Sequence, residues 1–250
     1  MFGSALESLV GKDAVCHMRH LSPNSEPWPT LLGRVTKDPA MQVALNNTLS
    51  KCNLLWDHID YGVPELLRRI TNRDTHIITQ LRNPVDRFLS SHFKQFQGDG
   101  PEIAHSKLLH RIDEMQNGPP LKHMLMGYLG GCAVPVDPAT FQKNCGNADD
   151  TYAAALQSVG NTSFLGLSSN PAAALRKFYE ESNLAASRGP LKEEILAELS
   201  NKAEIGTRWY SGLVTEQDRV RLSQIFAQDE SLYRAAETRI AGFGHSHSEL

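Results

Sequence analysis

HIITQLRNPVDRFLSSH, residues 76–92, is the stretch that decides the fold. Its first six residues are rich in β-branched side chains and lie between charged and Pro-containing flanks, which predicts a strand over residues 76–81. Pro84 then fixes φ for a first helical turn and pushes the residue before it into an extended conformation. An amphipathic helix to about Gln97 is predicted by apolar residues at helical spacing: Val85, Phe88, Leu89, Phe93 and Phe96.

The rest of the chain alternates strand and helix patterns around this stretch. Short strands are predicted within residues 52–59 and over residues 163–167. Helical spacing covers the longer segments 101–115, 149–159, 171–182, 191–203 and 216–240. This alternation indicates an α/β fold with a parallel sheet covered by helices. We expect one domain over residues 1–250, with a frayed tail at about residues 244–250.

Composition and charge exclude several classes of function. The 250 residues are 40% hydrophobic and 21% charged, as in a folded globular protein. A net charge of -3 argues against broad, sequence-blind binding of nucleic acid, which requires a basic face. Because no run of about 18 apolar residues occurs, we expect no membrane contact within this chain.

The cysteines give no sign of a zinc knuckle, because none of them forms a CxxC pair. Cys132 and Cys145 bracket a Pro-containing loop, and a disulfide or two unrelated thiols would both fit that spacing. Three further residues resemble a partial metal site without an evident fourth ligand: Cys16, His17 and His20. We therefore expect no metal.

The end of the predicted strand at residue 81 is the best candidate for a binding site. In open parallel sheets, ligands bind beyond the carboxyl ends of strands, where helix amino termini present free N–H groups. Arg82 would stand at the strand tip with a planar fork suited to phosphate oxygens. Ser90, three residues after Arg87 on the helix, could add a hydroxyl. An arginine capping the sheet and a serine tolerated by the helix remain the structural alternative.

The order of residues 81–92 resembles the 3′-phosphate-binding motif of sulfotransferases that use 3′-phosphoadenosine 5′-phosphosulfate, in particular the Golgi-type carbohydrate sulfotransferases. The resemblance implies a P-loop-like three-layer sandwich with a short parallel sheet flanked by helices. It also implies that Arg82 and Ser90 bind the 3′-phosphate of this co-substrate. The activity would be transfer of a sulfuryl group to a hydroxyl, of a carbohydrate above all, without a metal.

Three other stretches match the family in the expected order. Residues 56–63 resemble a segment in which a histidine ends a strand, which implies that His58 is the general base for the acceptor hydroxyl. A histidine satisfied in the core or exposed on a loop is the alternative. Residues 163–167 and 229–233 resemble a later strand and part of the last helix, and we expect structural roles for them.

The amino terminus departs from the family pattern. Residues 3–9 resemble the end of the 5′-phosphosulfate loop and its helix, which implies that Gly3 and Ser4 bind the co-substrate. The family's opening strand and loop lysine have no counterpart, so the amino terminus is expected to be incomplete or degenerate. A non-catalytic relative that binds nucleotide or glycan is therefore an alternative to the enzyme. The family resemblance implies the Golgi lumen if an upstream anchor exists.

Overall fold

The computed structural model describes residues 5–7, 9, 11, 15–17, 35, 37–52, 54–56, 78–117, 129, 147–182, 189–208 and 212–243. The strands in this part of the chain are β1 (Val15–His17), β2 (Leu54–Trp56), β3 (Ile78–Leu81) and β4 (Phe164–Leu167). The helices are α1 (Pro39–Leu49), α2 (Pro84–Gln95), α3 (Pro101–Asn117), α4 (Ala148–Asn161), α5 (Pro171–Glu181), α6 (Glu193–Arg208), α7 (Glu216–Ile225) and α8 (Ala227–Phe243). Residues 5–7 and 9 are also helical.

The described strands pair in parallel, as two separate two-stranded sheets. β1 pairs with β2, with Cys16 opposite Leu55. β3 pairs with β4, and Leu81 stands opposite Leu167. The molecule is therefore an α/β protein of mostly helices with short parallel sheets, and this coarse prediction is confirmed.

Helices cover both faces of the β3–β4 pair. Successive side chains of a strand point to opposite faces, so neighbouring residues of β3 and β4 pack against different helices. On one face, Leu81 and Leu165 share a buried cluster with α4 and α8 residues that include Ala155, Val159, Leu232, Tyr233 and Ala236. On the other face, Phe164 shares a cluster with α5 and α6 and with the helical residues near the amino terminus: Ala174, Leu175, Leu196, Leu199, Ala5 and Leu6. Both faces of the short sheet are thus buried.

A third cluster joins α2, α3 and α7 beyond the carboxyl end of β3. The predicted apolar stripe of α2 supplies Val85, Leu89 and Phe93, which are buried against Leu108 and Ile112 of α3. This packing fixes the direction in which α2 leaves the sheet.

The prediction of one helix over residues 216–240 is wrong. The chain forms two helices, α7 and α8, and the N–H of Phe226 between them still donates to the carbonyl of Leu222. The two halves pack into different clusters: Leu222 and Phe226 join α2 and α3, whereas Leu232 joins the sheet. A straight helix cannot serve both clusters, so the chain turns at Phe226.

Two elements were missed from the sequence. β1 is too short to show a strand pattern, with three residues. The sequence signal for the start of α1 is limited to Asp38 and Pro39. The Asp38 carboxylate accepts hydrogen bonds from the N–H groups of Ala40 and Met41, and Pro39 lies in the first helical turn. The predicted strand near residue 52 is confirmed for residues 54–56, and the predicted tail at residues 244–250 lies outside the described residues.

Within the described ranges, no helix has the length and apolar character needed to cross a bilayer.

Candidate functional site

The turn from β3 into α2 is built by Asn83 and Pro84. The Asn83 side chain accepts a hydrogen bond of 3.2 Å from the N–H of Asp86, and so caps the helix. Pro84 occupies the first helical turn, where a missing N–H costs nothing. The predicted strand-to-helix turn is therefore present, and the amino terminus of α2 lies at the carboxyl edge of the sheet.

A second turn that ends in an Asn-Pro helix cap follows β4. The N–H of Ser168 donates to the carbonyl of Leu81 at 2.7 Å, so the strand pairing extends to the end of both strands. Asn170 then caps α5 by accepting a 3.1 Å hydrogen bond from the N–H of Ala173, and Pro171 follows it. Because β3 and β4 are parallel, both helix amino termini begin at the same edge.

Arg82 and Ser90 lie where the sequence predicted them relative to these elements. Arg82 is half-buried, directly after β3, and Ser90 is half-buried on α2. Ser90 is six residues after Pro84, which corresponds to about 9 Å along the helix axis. For both residues to contact one phosphate group, the long Arg82 side chain has to lie along the first turns of α2.

An ion pair that the sequence did not reveal stands beside this turn. The Arg219 guanidinium on α7 donates to the Asp86 carboxylate at 3.0 Å. Both side chains are more than a third exposed, so their pairing adds little stability, of the order of 0–1 kcal/mol. It does neutralise the carboxylate on the same flank of α2 as Ser90, one helical turn before it.

Tyr233 links α8 to the second turn. Burial raises the pKa of Tyr233 above its ordinary value, against the effect of a hydrogen bond from Ser169, while the negative charges of Glu237 and Asp86 raise it further. Tyr233 and Leu232 are buried in the cluster beneath the sheet, in keeping with the structural role expected for residues 229–233.

Two other buried polar groups, Asp218 and His92, have structural partners away from this edge, although the Nδ1 atom of His92 has none in the described part of the protein. The burial of Asp218 opposes its ionisation, but hydrogen bonds from Thr215 and His105 outweigh it and lower the pKa of that carboxyl. Asp218 and Thr215 form the capping box of α7. His92, on α2, contacts the carbonyl of Ala104 on α3 at 3.0 Å. These groups hold helices together.

Three predicted site residues, His58, Gly3 and Ser4, lie outside the described residues. The helical residues that follow Gly3 and Ser4 are described: Ala5 and Leu6 are buried in the cluster that covers one face of β3–β4.

A disulfide involves one residue of the partial metal site that the sequence suggested. Cys16 forms a disulfide with Cys52, with 5.6 Å between their Cα atoms, so Cys16 has no thiolate for a metal. Cys132, Cys145 and His20 lie outside the described residues, and so does the side chain of His17. In the described part of the chain, no group of three His, Cys, Asp or Glu side chains could hold a metal ion.

A surface groove of about 430 Å³ runs along α7 and α8 and touches the candidate site only indirectly. Arg219 lines the groove and reaches Asp86, whereas Arg82 and Ser90 do not line it. The groove is also lined by opposite charges, among them Arg234 and Glu230, which lie 3.6 Å apart one turn from each other on α8. Its mixed charge does not suit a phosphate.

Comparison with protein families, with curated proteins and with solved structures found no match to this chain.

Proposed function

We propose that this protein binds 3′-phosphoadenosine 5′-phosphosulfate at the turn from β3 into α2 and transfers its sulfuryl group to a hydroxyl, of a carbohydrate above all. The observation that carries the proposal is the position of Arg82 at the carboxyl end of a parallel strand, next to a capped helix amino terminus. Arginine offers a planar fork of donors for phosphate oxygens, and the helix end adds a partial positive charge.

Arg82 and Ser90 hold the 3′-phosphate in this account. Arg82 contacts the phosphate at the sheet edge, and the Ser90 hydroxyl donates to it from α2. Support comes from the second helix amino terminus at the same edge, at Pro171, and from the pairing of Asp86 with Arg219, which reduces repulsion of an anion. The two covered sheet faces support a P-loop-like three-layer arrangement.

The sulfuryl group moves by an in-line exchange in which positioning and charge stabilisation carry most of the rate. His58 takes the proton of the acceptor hydroxyl, and the acceptor oxygen forms a bond to sulfur. The bond from sulfur to the bridging phosphate oxygen breaks, and its electron pair leaves with 3′-phosphoadenosine 5′-phosphate. Gly3 and Ser4 hold the 5′ side of the co-substrate through backbone N–H groups.

The disulfide supports an oxidising compartment such as the Golgi lumen. Cys16 and Cys52 close a loop with a sequence separation of 36, and disulfides of this kind persist where thiols are not kept reduced. Loop-closure entropy predicts that the bond stabilises the fold by about 3–4 kcal/mol. Thermal unfolding with and without reductant measures this contribution, and a Tm that does not fall on reduction contradicts it.

The decisive experiment compares two nucleotides that differ in one phosphate. By titration calorimetry, the protein should bind 3′-phosphoadenosine 5′-phosphate at least tenfold more tightly than adenosine 5′-phosphate, since a hydrogen bond to a charged group contributes about 1.5–3 kcal/mol. Equal affinities would refute the assignment of the 3′-phosphate site.

Turnover separates the enzyme from a protein that only binds. With a labelled co-substrate and carbohydrate acceptors, His58→Ala should reduce sulfate transfer by about 10²-fold or more while nucleotide affinity stays the same. Binding of the nucleotide without any transfer by the wild type would favour the non-catalytic alternative. Unchanged transfer by His58→Ala would show that the base lies elsewhere.

A further inference from the structure

Gln80, the third residue of β3, has an unused hydrogen-bond donor. Its Nε2 is shielded from solvent and has no hydrogen-bond partner in the described part of the protein. A buried amide N–H without a partner carries a free-energy cost, and native proteins rarely leave one unexplained. The position next to the candidate anion site suggests what the missing partner is.

The strand register places Gln80 on one defined face of the sheet. Its neighbour two residues back, Ile78, packs into the cluster that contains Phe164 and Leu175. Gln80 stands opposite Gly166, where an added Cβ would come within 2.7 Å of the Ala174 Cβ. α5 thus fills the space on the β4 side of Gln80, while part of the Gln80 residue remains exposed.

Arg82 lies on the same face as Gln80. The Leu81 carbonyl still accepts from the N–H of Ser168, so the peptide that links Leu81 to Arg82 lies in the plane of the sheet. The Arg82 side chain therefore leaves opposite to that of Leu81, on the Gln80 side. Two residues of a strand span about 6.6 Å, a spacing that lets both side chains reach oxygens of one phosphate group.

We infer that the Gln80 carboxamide is a further binding residue, which donates a hydrogen bond to an oxygen of the phosphate that Arg82 holds. The inference rests on the proposed function, because it assigns that phosphate to the 3′ position of the nucleotide. The bound anion supplies the acceptor that Nε2 lacks. Binding therefore removes a cost that the ligand-free protein carries.

Gln80→Met tests this assignment, since methionine has a similar length and no N–H group. The variant should bind 3′-phosphoadenosine 5′-phosphate about tenfold less tightly than the wild type, while its affinity for adenosine 5′-phosphate stays the same. Its Tm without ligand should be equal to or higher than that of the wild type, because an unsatisfied polar group has been removed. Gln97→Met, at an exposed glutamine, is the matched control and should change neither quantity.

The outcomes separate this inference from the proposed function. If Arg82→Ala weakens binding of the bisphosphate and Gln80→Met does not, Gln80 has no part in the site and the proposed function stands. If Gln80→Met weakens the binding of both nucleotides equally, or lowers the Tm of the ligand-free protein, Gln80 is a structural residue and the inference is wrong. If the wild type does not distinguish the two nucleotides, both proposals fail.

Discussion

β3 and β4 leave the sheet through turns that end in the same Asn-Pro helix cap but differ in their other side chains. In each connection an asparagine caps the next helix, and a proline is the first residue of that helix. These residues are Asn83 and Pro84 after β3, and Asn170 and Pro171 after β4. Because the strands are adjacent and parallel, both helices begin at the same edge. The two helix amino termini taken alone would suit an anion equally well.

The side chains separate the two turns. The turn after β3 carries Arg82 and places α2 to one side, where it packs on α3 and α7. The turn after β4 carries Ser169, which lies beside Tyr233, and α5 lies so close to β4 that Gly166 has no room for a Cβ. The same Asn-Pro cap therefore stands beside the proposed anion site after β3, whereas after β4 it stands where α5 packs tightly on the sheet.

The largest expected difference between the turns is in nucleotide affinity. Arg82→Ala should weaken binding of 3′-phosphoadenosine 5′-phosphate by about 1.5–3 kcal/mol, because it removes charged hydrogen bonds to the phosphate. Ser168→Ala should change the affinity less than about twofold, since Ser168 contributes its backbone N–H to the Leu81 carbonyl and keeps it. Titration calorimetry measures both. Equal losses in the two variants would abolish the distinction between the turns.

The stability of the β4–α5 connection should be sensitive to added side-chain volume at Gly166. Gly166→Ala should lower the free energy of unfolding by about 1–3 kcal/mol, because the added Cβ meets Ala174 at 2.7 Å. Gly160→Ala is the matched control: nothing lies within 4 Å of its added Cβ, and alanine is the better helix former. Urea unfolding measures both. A Gly166→Ala variant as stable as the wild type would show that α5 can move, and that the second turn is no rigid joint.

Acid should destabilise the fold through His92 on α2, the helix that follows β3. Burial lowers the pKa of His92 below its ordinary value, against the hydrogen bond with Ala104, and the positive charges of Arg111 and Lys107 lower it further. The unfolded chain takes up this proton as the pH falls through about 6.5, while the folded chain resists it. Stability is therefore lost below that pH, with a slope of at most about 1.4 kcal/mol per pH unit.

The matched variants for this pH dependence are His92→Gln and His110→Gln. Urea unfolding between pH 7 and pH 5 should show a smaller loss in His92→Gln than in the wild type, because glutamine keeps a donor for Ala104 but does not titrate. His110→Gln, at a histidine whose side chain is 75% exposed, is the matched control. α5 contains no histidine and adds nothing to the effect. Identical slopes in all three proteins would contradict it.

The smallest expected difference is in the helix caps. Asn83→Ala and Asn170→Ala should each lower the free energy of unfolding by about 1 kcal/mol, because each removes the acceptor for one helix N–H group. Glycine at either position should cost only a few tenths of a kcal/mol. Urea unfolding of the four variants tests whether the two caps contribute equally to the free energy of unfolding. A loss of stability in only one of the two alanine variants would show that the two caps are not equivalent.

The sequence predicted the elements whose signals are local. The β-branched run before Leu81, the Pro at each helix start and the apolar stripe of α2 specify β3, α2 and α5 with little help from the rest of the chain. The break at Phe226 was missed because it depends on two clusters that compete for one helical stripe. Such competition is a property of the packed molecule.

The candidate site was predictable only in part, for the same reason. Arg82 and Ser90 follow from their spacing in the chain, whereas the contact of Arg219 with Asp86 joins residues separated by 133 positions. The unused donor of Gln80 also has no sequence signal, since polar residues in strands usually find partners. The Cys16–Cys52 bond was missed because no spacing rule identifies the partner of a cysteine.

A titration followed by NMR tests the central claim most directly, because it reports on both turns in one sample. Addition of 3′-phosphoadenosine 5′-phosphate to labelled protein should shift the backbone amide signals of residues 82–90 strongly, and those of residues 168–174 much less. Adenosine 5′-phosphate should leave residues 82–90 nearly unshifted. Equal shifts in both turns, or shifts in residues 82–90 that do not depend on the 3′-phosphate, would contradict the assignment of the anion site to Arg82 and Ser90.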